Sequence, residues 1–299
     1  MLIKDVHSIM TNIEKRWDLP YHKAFFKTSH NSYIHSIRDQ LNKGVRGLEY
    51  DIHDNNIQEL EDFEVYHLEN HIDSLLKVDN NPNDLLLSSW LKVLNDWSNE
   101  QNKDHAPITL FIELKDSIID SNNKPEDLYG IKKLNRIILD SFNSNTLFTF
   151  KDFREVDFEW PTVRELKGKI IIVLVSYWGG YWAAGEGGFE SRLKYLNNCL
   201  EGKDDVCFVS WVQEDQGDKA LYLKKNSHYW KCSLEFSTKN FSHISKSQKV
   251  TRADFDKIVW GMHIKTYYNK NYENGYRCNF PATCEWGTDK YNSCFPWSI

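Results

Sequence analysis

The chain has 299 residues, of which 40% are hydrophobic and 14% aromatic, and its 37 basic and 43 acidic side chains give a net charge of -6. A chain of this size can bury a large core, either as one α/β barrel or as two smaller domains. The negative balance argues against a nucleic-acid partner held by bulk electrostatic attraction. Because no apolar run approaches the roughly 20 residues that span a bilayer, and no signal pattern opens the chain, we expect no transmembrane segment.

Short apolar runs bounded by turn residues recur along the chain and predict buried parallel strands. The runs cover residues 24–27, 45–52, 65–66, 108–112, 146–150, 169–176, 206–212 and 258–264. Helical patterns lie between them, at residues 36–43, 84–99, 125–142, 189–200, 215–226 and 251–257. This alternation predicts a TIM-type (β/α)8 barrel, regular or distorted. We assign residues 1–266 to the barrel and residues 267–299 to an aromatic, cysteine-containing C-terminal extension packed on it.

All six cysteines lie in the C-terminal third of the chain, without paired CxxC spacing. That distribution argues against a zinc site. Cys278, Cys284 and Cys294 fall in the extension, where a disulfide would help to order a segment without clear periodicity. Whether they form disulfides or remain thiols depends on the compartment.

Polar side chains gather at the C-terminal ends of the early strand runs, where parallel barrels carry their chemistry. They are His30, Asn31, Glu49, Asp51, His67 and Glu113. Glu49 and Asp51 are two positions apart and share a strand face, so burying both requires a cation. Arg46 is an alternative counter-charge, but its odd spacing from both predicts the opposite face. Three carboxylates and an amide oxygen form a cup suited to calcium or magnesium rather than zinc.

The order and spacing of these motifs resemble a known catalytic region. The segment TSHNSYIHSIRDQLNKGVRGLEYDIH at Thr28–His53, with VYHLENH from Val65 and ITLFIELKD from Ile108, resembles the X-region of phosphoinositide-specific phospholipase C, a PLC-like phosphodiesterase. It is similar to the calcium-dependent branch, because metal-independent bacterial relatives carry an arginine in place of Asp51. The resemblance covers about the first half of the chain, and LKGKI from Leu166 continues it.

The resemblance implies a phosphodiesterase that cleaves phosphatidylinositol, or a related phospholipid, to diacylglycerol and an inositol phosphate through a cyclic phosphate. It implies catalytic His30 and His67, and calcium ligands Asn31, Glu49, Asp51 and Glu113, with magnesium as the alternative ion. We expect His67 to be the general acid and His30 to bind a phosphate oxygen, since histidine exchanges protons near neutral pH. Either Glu49 or Glu113 is the base.

Further substrate contacts are predicted near this site. Lys115 follows Glu113 on the same side of its strand, where a phosphate contact and a solvated rim position both fit. Tyr177 and Trp178 begin the glycine-rich run SYWGGYWAAGEGG. Aromatic rings in such a loop either reach the membrane interface or cover the head-group pocket as a lid.

Two valines bear on the substrate. Val173 and Val175 stand where eukaryotic relatives carry lysines for ring phosphates, so the resemblance favours unphosphorylated phosphatidylinositol over a 4,5-bisphosphate. We expect a monomeric protein acting on phospholipid at a membrane surface. Two alternatives remain open: a glycerophosphodiester phosphodiesterase or sphingomyelinase D-like enzyme on the same barrel, and an inactive barrel that binds lipid head groups.

Overall fold

The computed structural model describes residues 16–24, 26, 28–29, 31–116, 118, 129–143, 145–176, 195, 198–199, 206–209, 234–235, 259–260, 262–263 and 280–284. The strands are β1 (Thr28–Ser29), β2 (Gly47–His53), β3 (Glu64–Val65), β4 (Ile108–Leu114), β5 (Ile170–Ser176), β6 (Phe208–Val209), β7 (Leu234–Glu235), β8 (Val259–Trp260), β9 (Met262–His263) and β10 (Phe280–Cys284). The α-helices are α1 (Ile37–Asn42), α2 (Ile57–Leu60), α3 (Ile72–Leu75), α4 (Leu87–Glu100), α5 (Tyr129–Ser141) and α6 (Phe150–Glu155). Short 3-10 helices cover Tyr21–Lys23, Ser32–Ile34 and Glu69–His71.

Most of the described strands belong to one sheet. Its strand order is β6-β5-β4-β2-β1-β10-β9, and all neighbours along this path are parallel. β7 and β8 form a separate parallel pair. A parallel α/β fold is therefore confirmed, while closure into a (β/α)8 barrel stays a prediction. β10 belongs to the range 267–299 and lies between β1 and β9, so this range supplies a strand to the sheet; the division into barrel and extension stays a prediction.

The centre of the sheet consists of strands that are buried on both faces. Every residue of Ile108–Leu114 is buried, and β5 is an unbroken apolar run up to its final serine. Parallel strands covered on both faces have this continuous apolar composition. β4 pairs in register with β5 and with β2, and Asp51 lies opposite Glu113. Because paired residues of neighbouring strands share a face, the acidic residues of β2 and β4 point the same way.

Helix α4 supports the strands that carry the site. Its buried residues follow the spacing of one helix face and are Leu87, Trp90, Leu91, Leu94, Trp97 and Ser98. The Trp90 ring lies edge-on to Tyr50 of β2 at 5.8 Å and to Tyr33 at 6.3 Å. Its indole nitrogen donates to the Asp84 carbonyl at 3.1 Å. Among the described helices, none is long and apolar enough to cross a membrane.

The predicted strand at residues 146–150 is wrong. Leu147 makes a single isolated parallel bridge to Ile170, and α6 begins at Phe150. A capping box starts this helix: the Thr149 hydroxyl accepts from the Asp152 backbone N–H at 3.2 Å, and Asp152 Oδ2 accepts from the Thr149 N–H at 2.7 Å. These hydrogen bonds satisfy backbone groups at the start of the helix. Thr149 and Asp152 therefore favour a helix from Phe150, although the run is apolar enough to resemble a strand.

The run before His67 also differs from the expected parallel strand. β3 pairs antiparallel with β2, with Val65 opposite Ile52. Only residues 54–63 separate the two strands, and a parallel crossover needs a dozen or more residues. The first run differs as well, because Ala24 and Phe26 are not in a strand and the described strand β1 covers Thr28–Ser29.

Several predicted features lie outside the described residues. They are the helices at 215–226 and 251–257, most of the helix at 189–200, and the residues Tyr177, Trp178, Cys278 and Cys294. Of the helix at 189–200, Tyr195, Asn198 and Cys199 are described and are helical.

Gly168 closes the turn that leads into β5, and replacing it with alanine is expected to destabilise the fold. Its φ is +72°, and a Cβ there would lie 2.6 Å from the Lys103 carbonyl oxygen. We expect Gly168→Ala to lower the free energy of unfolding by about 2 kcal/mol, because left-handed strain and overlap add. Urea denaturation measures the change. Lys167→Ala, at an exposed ion pair with Asp104, is the control and is expected to cost under ~1 kcal/mol. Equal losses in the two variants would contradict the prediction.

Candidate active site

Three carboxylates from β2 and β4 lie close together on one face of the sheet, toward the C-terminal ends of these strands. Glu49, Asp51 and Glu113 each offer a ligand oxygen, and these atoms all lie within 4.8 Å of one another. Glu49 and Asp51 are fully buried, and Glu113 is 8% exposed. The structure thus brings together three of the predicted metal ligands, and we refer to them as the acid cluster.

The turn after β1 places Asn31 beside this cluster. Asn31 adopts the left-handed conformation (φ 49°, ψ 53°), which asparagine tolerates better than most residues. Its backbone N–H donates to Glu49 Oε2 at 2.8 Å. The Ser32 hydroxyl accepts from the Glu49 N–H at 2.8 Å and donates to the Ser29 carbonyl at 3.0 Å, which ties the turn to β2. His30 lies outside the described residues.

Tyr33 joins two of the predicted ligands and was not assigned a role from the sequence. Its hydroxyl lies 2.7 Å from Asn31 Oδ1 and also hydrogen-bonds Asp51 Oδ2. The Asn81 amide donates to the carbonyls of Tyr33 and His35 at 3.1 and 3.0 Å, so a distant loop anchors this segment. The sequence signal was the tyrosine of the HNSY motif, two positions after the asparagine ligand candidate.

His67 is hydrogen-bonded to the acid cluster. Its Nδ1 lies 2.9 Å from Asp51 Oδ2, and its side chain keeps 26% of its surface exposed. The antiparallel return of β3 explains this position, because the Tyr66 N–H donates to the Asp51 carbonyl at 3.2 Å. With Nδ1 held by Asp51, proton transfer to a substrate has to use Nε2.

Lys115 also contacts the cluster. Its ammonium lies 3.2 Å from Asp51 Oδ1 and 3.1 Å from Glu113 Oε1, and its side chain is only 8% exposed. This burial rules out the solvated rim position. Arg46, the alternative counter-charge, points to the other face as expected, where it donates to two backbone carbonyls of its own segment at 2.9 and 2.7 Å.

Burial and neighbouring charges shift the pKa values of the three carboxylates in different directions. Burial, reinforced by the charge of Asp51, raises the pKa of Glu49 to about 8 and raises the pKa of Glu113 well above its ordinary value. Burial acts in the same direction on Asp51, but the hydrogen bond from His67 and the charge of Lys115 outweigh it and lower the pKa. Asp51 is therefore the carboxylate of the cluster that most readily carries a negative charge.

The donor set fits a hard divalent cation. Buried carboxylates are costly unless a cation compensates them, and the one lysine supplies a single positive charge to three of them. Carboxylate oxygens together with an amide oxygen favour calcium or magnesium over zinc. The residues that would hold the ion are Asn31, Glu49, Asp51 and Glu113.

The neighbouring strand gives this face an apolar wall. Val175 of β5 lies opposite Glu113, and Val173 lies opposite Phe111. Both valines are buried. Uncharged side chains therefore border the acid cluster where it faces β5.

The fold and the site define a parallel α/β protein with a buried acidic metal-type site and a histidine bound to it. A calcium-dependent phosphoinositol-specific phospholipase C from Pseudomonas sp. matches this structure with a TM-score of 0.60 at 19% identity, over 90% of this chain and 91% of that one. A Ca²⁺-dependent phosphatidylinositol-specific phospholipase C from Streptomyces antibioticus matches with a TM-score of 0.54 at 14% identity, over 81% and 82%. No protein-family model and no curated protein matches the chain. The resemblance to the calcium-dependent phospholipase C branch is confirmed at the level of the fold.

Proposed function

We propose that the chain is a calcium-dependent phosphodiesterase of the phospholipase C type, which cleaves phosphatidylinositol to diacylglycerol and an inositol phosphate through a cyclic phosphate. The observation that carries this proposal is the hydrogen bond between His67 and Asp51, because Asp51 also belongs to the acid cluster. A proton donor is thereby coupled to a cation site, and metal-assisted cleavage of a phosphodiester uses both.

The chemistry follows from these positions. The inositol 2-hydroxyl gives its proton to Glu49 or Glu113, its oxygen bonds to phosphorus, and the bond from phosphorus to the glycerol oxygen breaks. His67 gives its Nε2 proton to that leaving oxygen while Asp51 holds the ring through Nδ1. His30 is proposed to bind a phosphate oxygen in the transition state. A bound calcium ion would lower the pKa of the attacking hydroxyl and balance charge on the phosphate.

The apolar wall supports a head group without ring phosphates. Val173 and Val175 are buried beside the cluster and supply no positive charge to an additional phosphate. Burying an unpaired phosphate group is costly. We therefore propose unphosphorylated phosphatidylinositol, presented at a membrane surface, as the substrate.

The test measures release of water-soluble phosphate from phosphatidylinositol vesicles, with calcium and with a chelator. We expect release with calcium only, and a cyclic inositol phosphate as the first product in phosphorus NMR. On vesicles containing the 4,5-bisphosphate we expect kcat/KM to be at least ~10-fold lower, because the wall offers that head group no counter-charge. Phosphatidylcholine vesicles serve as the head-group control.

Three results would contradict the proposal. Equal release in chelator would refute the calcium requirement. Release from glycerophosphodiesters or sphingolipids, with none from phosphatidylinositol, would point to the other enzyme class on this fold. Binding of phosphatidylinositol by folded protein without turnover would indicate a head-group-binding barrel.

A further inference from the structure

Lys115 lies among the carboxylates of the acid cluster. It lies two positions after Glu113 along the strand direction, so both side chains leave the same face. The Lys115 backbone N–H donates to the Ile52 carbonyl at 3.1 Å, which extends the ladder between β4 and β2 past the end of β4. The lysine is therefore placed by regular sheet pairing, and its ammonium contacts one carboxylate from each of the two strands.

The two oxygens of Asp51 have different partners. Oδ2 accepts from the Tyr33 hydroxyl and lies 2.9 Å from His67 Nδ1. Oδ1 lies 3.2 Å from the ammonium of Lys115. The oxygen through which Asp51 would bind a cation is therefore the oxygen that Lys115 contacts, and the same ammonium also holds Glu113 Oε1.

We propose that Lys115 is a built-in counter-cation of the acid cluster, which a divalent ion has to displace from Asp51 and Glu113. The inference rests on the proposed metal site and assigns a role to a residue outside the ligand set. Lys115 stabilises the metal-free protein, and the same contact weakens the binding of calcium.

Electrostatics at this distance explains why the two cations exclude each other. Calcium binds oxygen at about 2.3–2.6 Å, so an ion sharing Asp51 Oδ1 would lie within roughly 6 Å of an ammonium left at its present place. Repulsion between a dication and an ammonium is strong at that distance in a buried site, where the effective dielectric constant is low. The lysine side chain is flexible and can move its charge away from the cluster.

The test is a calcium titration of the full chain by isothermal calorimetry, after treatment with chelator. We expect Lys115→Met, which keeps the apolar stem and removes the charge, to bind calcium at least ~10-fold more tightly than the unaltered protein. Lys115→Arg keeps the charge and is expected to bind with unaltered affinity. Lys133→Met is the matched control, because Lys133 is similarly buried (13% exposed) but pairs with Glu61 at 3.2 Å, outside the cluster.

Thermal unfolding gives a second readout that does not depend on activity. In chelator, Lys115→Met is expected to melt below the unaltered protein, because the cluster loses its counter-charge. Saturating calcium should then raise its Tm by more than it raises that of the unaltered protein, since tighter binding stabilises the folded state further. If the methionine variant folds poorly, Lys115→Gln provides a second neutral variant. A neutral variant that folds only when calcium is present also supports the proposal.

Equal or weaker calcium binding in both neutral variants would overturn the proposal, and so would absence of binding in all variants. The proposed function can fail separately. If the unaltered protein does not cleave phosphatidylinositol but the titrations show the expected order, the counter-cation stands and the phospholipase assignment falls.

Discussion

Asp51→Asn is expected to lower kcat/KM on phosphatidylinositol by roughly 10³-fold or more, because one carboxylate serves both parts of the site. Asp51 Oδ2 holds His67 in position and accepts from Tyr33, while Oδ1 faces the acid cluster. Asparagine has nearly the same shape but is neutral. The change therefore removes a negative charge from the proposed metal site and from the group that contacts His67 Nδ1, with little change in packing.

Steady-state kinetics on vesicles and the calcium-induced rise in Tm together measure the effect of Asp51→Asn. Asp62→Asn is a matched control, because Asp62 is also buried and accepts from the backbone N–H groups of Phe63 and Ser88 at 2.7 and 3.2 Å, away from the cluster. We expect this control to lose stability but to keep activity and the calcium response. Activity within ~10-fold of normal in Asp51→Asn, with an unchanged calcium response, would refute the assigned role.

His67→Ala is expected to reduce kcat on phosphatidylinositol by about 10²- to 10⁴-fold, the usual contribution of a positioned general acid. The loss should depend on the leaving group. Diacylglycerol leaves as a poor alkoxide unless its oxygen is protonated, whereas p-nitrophenolate needs no proton. On a p-nitrophenyl ester of inositol phosphate we therefore expect the same variant to lose at most ~10-fold.

Absorbance of p-nitrophenolate and release of inositol phosphate follow the two reactions of His67→Ala. Leu68→Ala, at the adjacent and half-exposed leucine, controls for disturbance of the loop on the soluble substrate. Equal losses on the two substrates would show that His67 does not act as the general acid. Its contact with Asp51 would then serve to position the cluster.

The parts of the fold that could be predicted from the sequence are those dominated by burial. β4 and β5 are largely apolar runs, which is the usual composition of parallel strands that are buried on both faces. The shared face of Glu49 and Asp51, and the opposite face for Arg46, follow from the two-residue period of a strand. These positions depend only on the alternation of side chains along a strand, which can be predicted from the spacing of residues in the sequence.

The features that were missed depend on partners distant in the chain or on polar caps. The direction of β3 depends on the length of the connection from β2, which an apolar pair of residues does not encode. Tyr33 reaches Asp51 through a turn of unusual backbone conformation at Asn31. Thr149 and Asp152 form a capping pair, but the apolar residues around Leu147 resemble a strand when only the sequence is considered.

The pairing of β1 with β10 has a consequence for synthesis of the chain. β1 has two residues, and its outer edge is covered by residues Ala282 and Cys284. Glu49, Asp51, His67 and Glu113 are all translated long before Cys284, on the order of 10–30 s earlier at ordinary elongation rates. During that interval the strand that leads to Asn31 has one unpaired edge, and so short a strand has little stability without its second neighbour. This face of the sheet is therefore completed only after Cys284 has been translated.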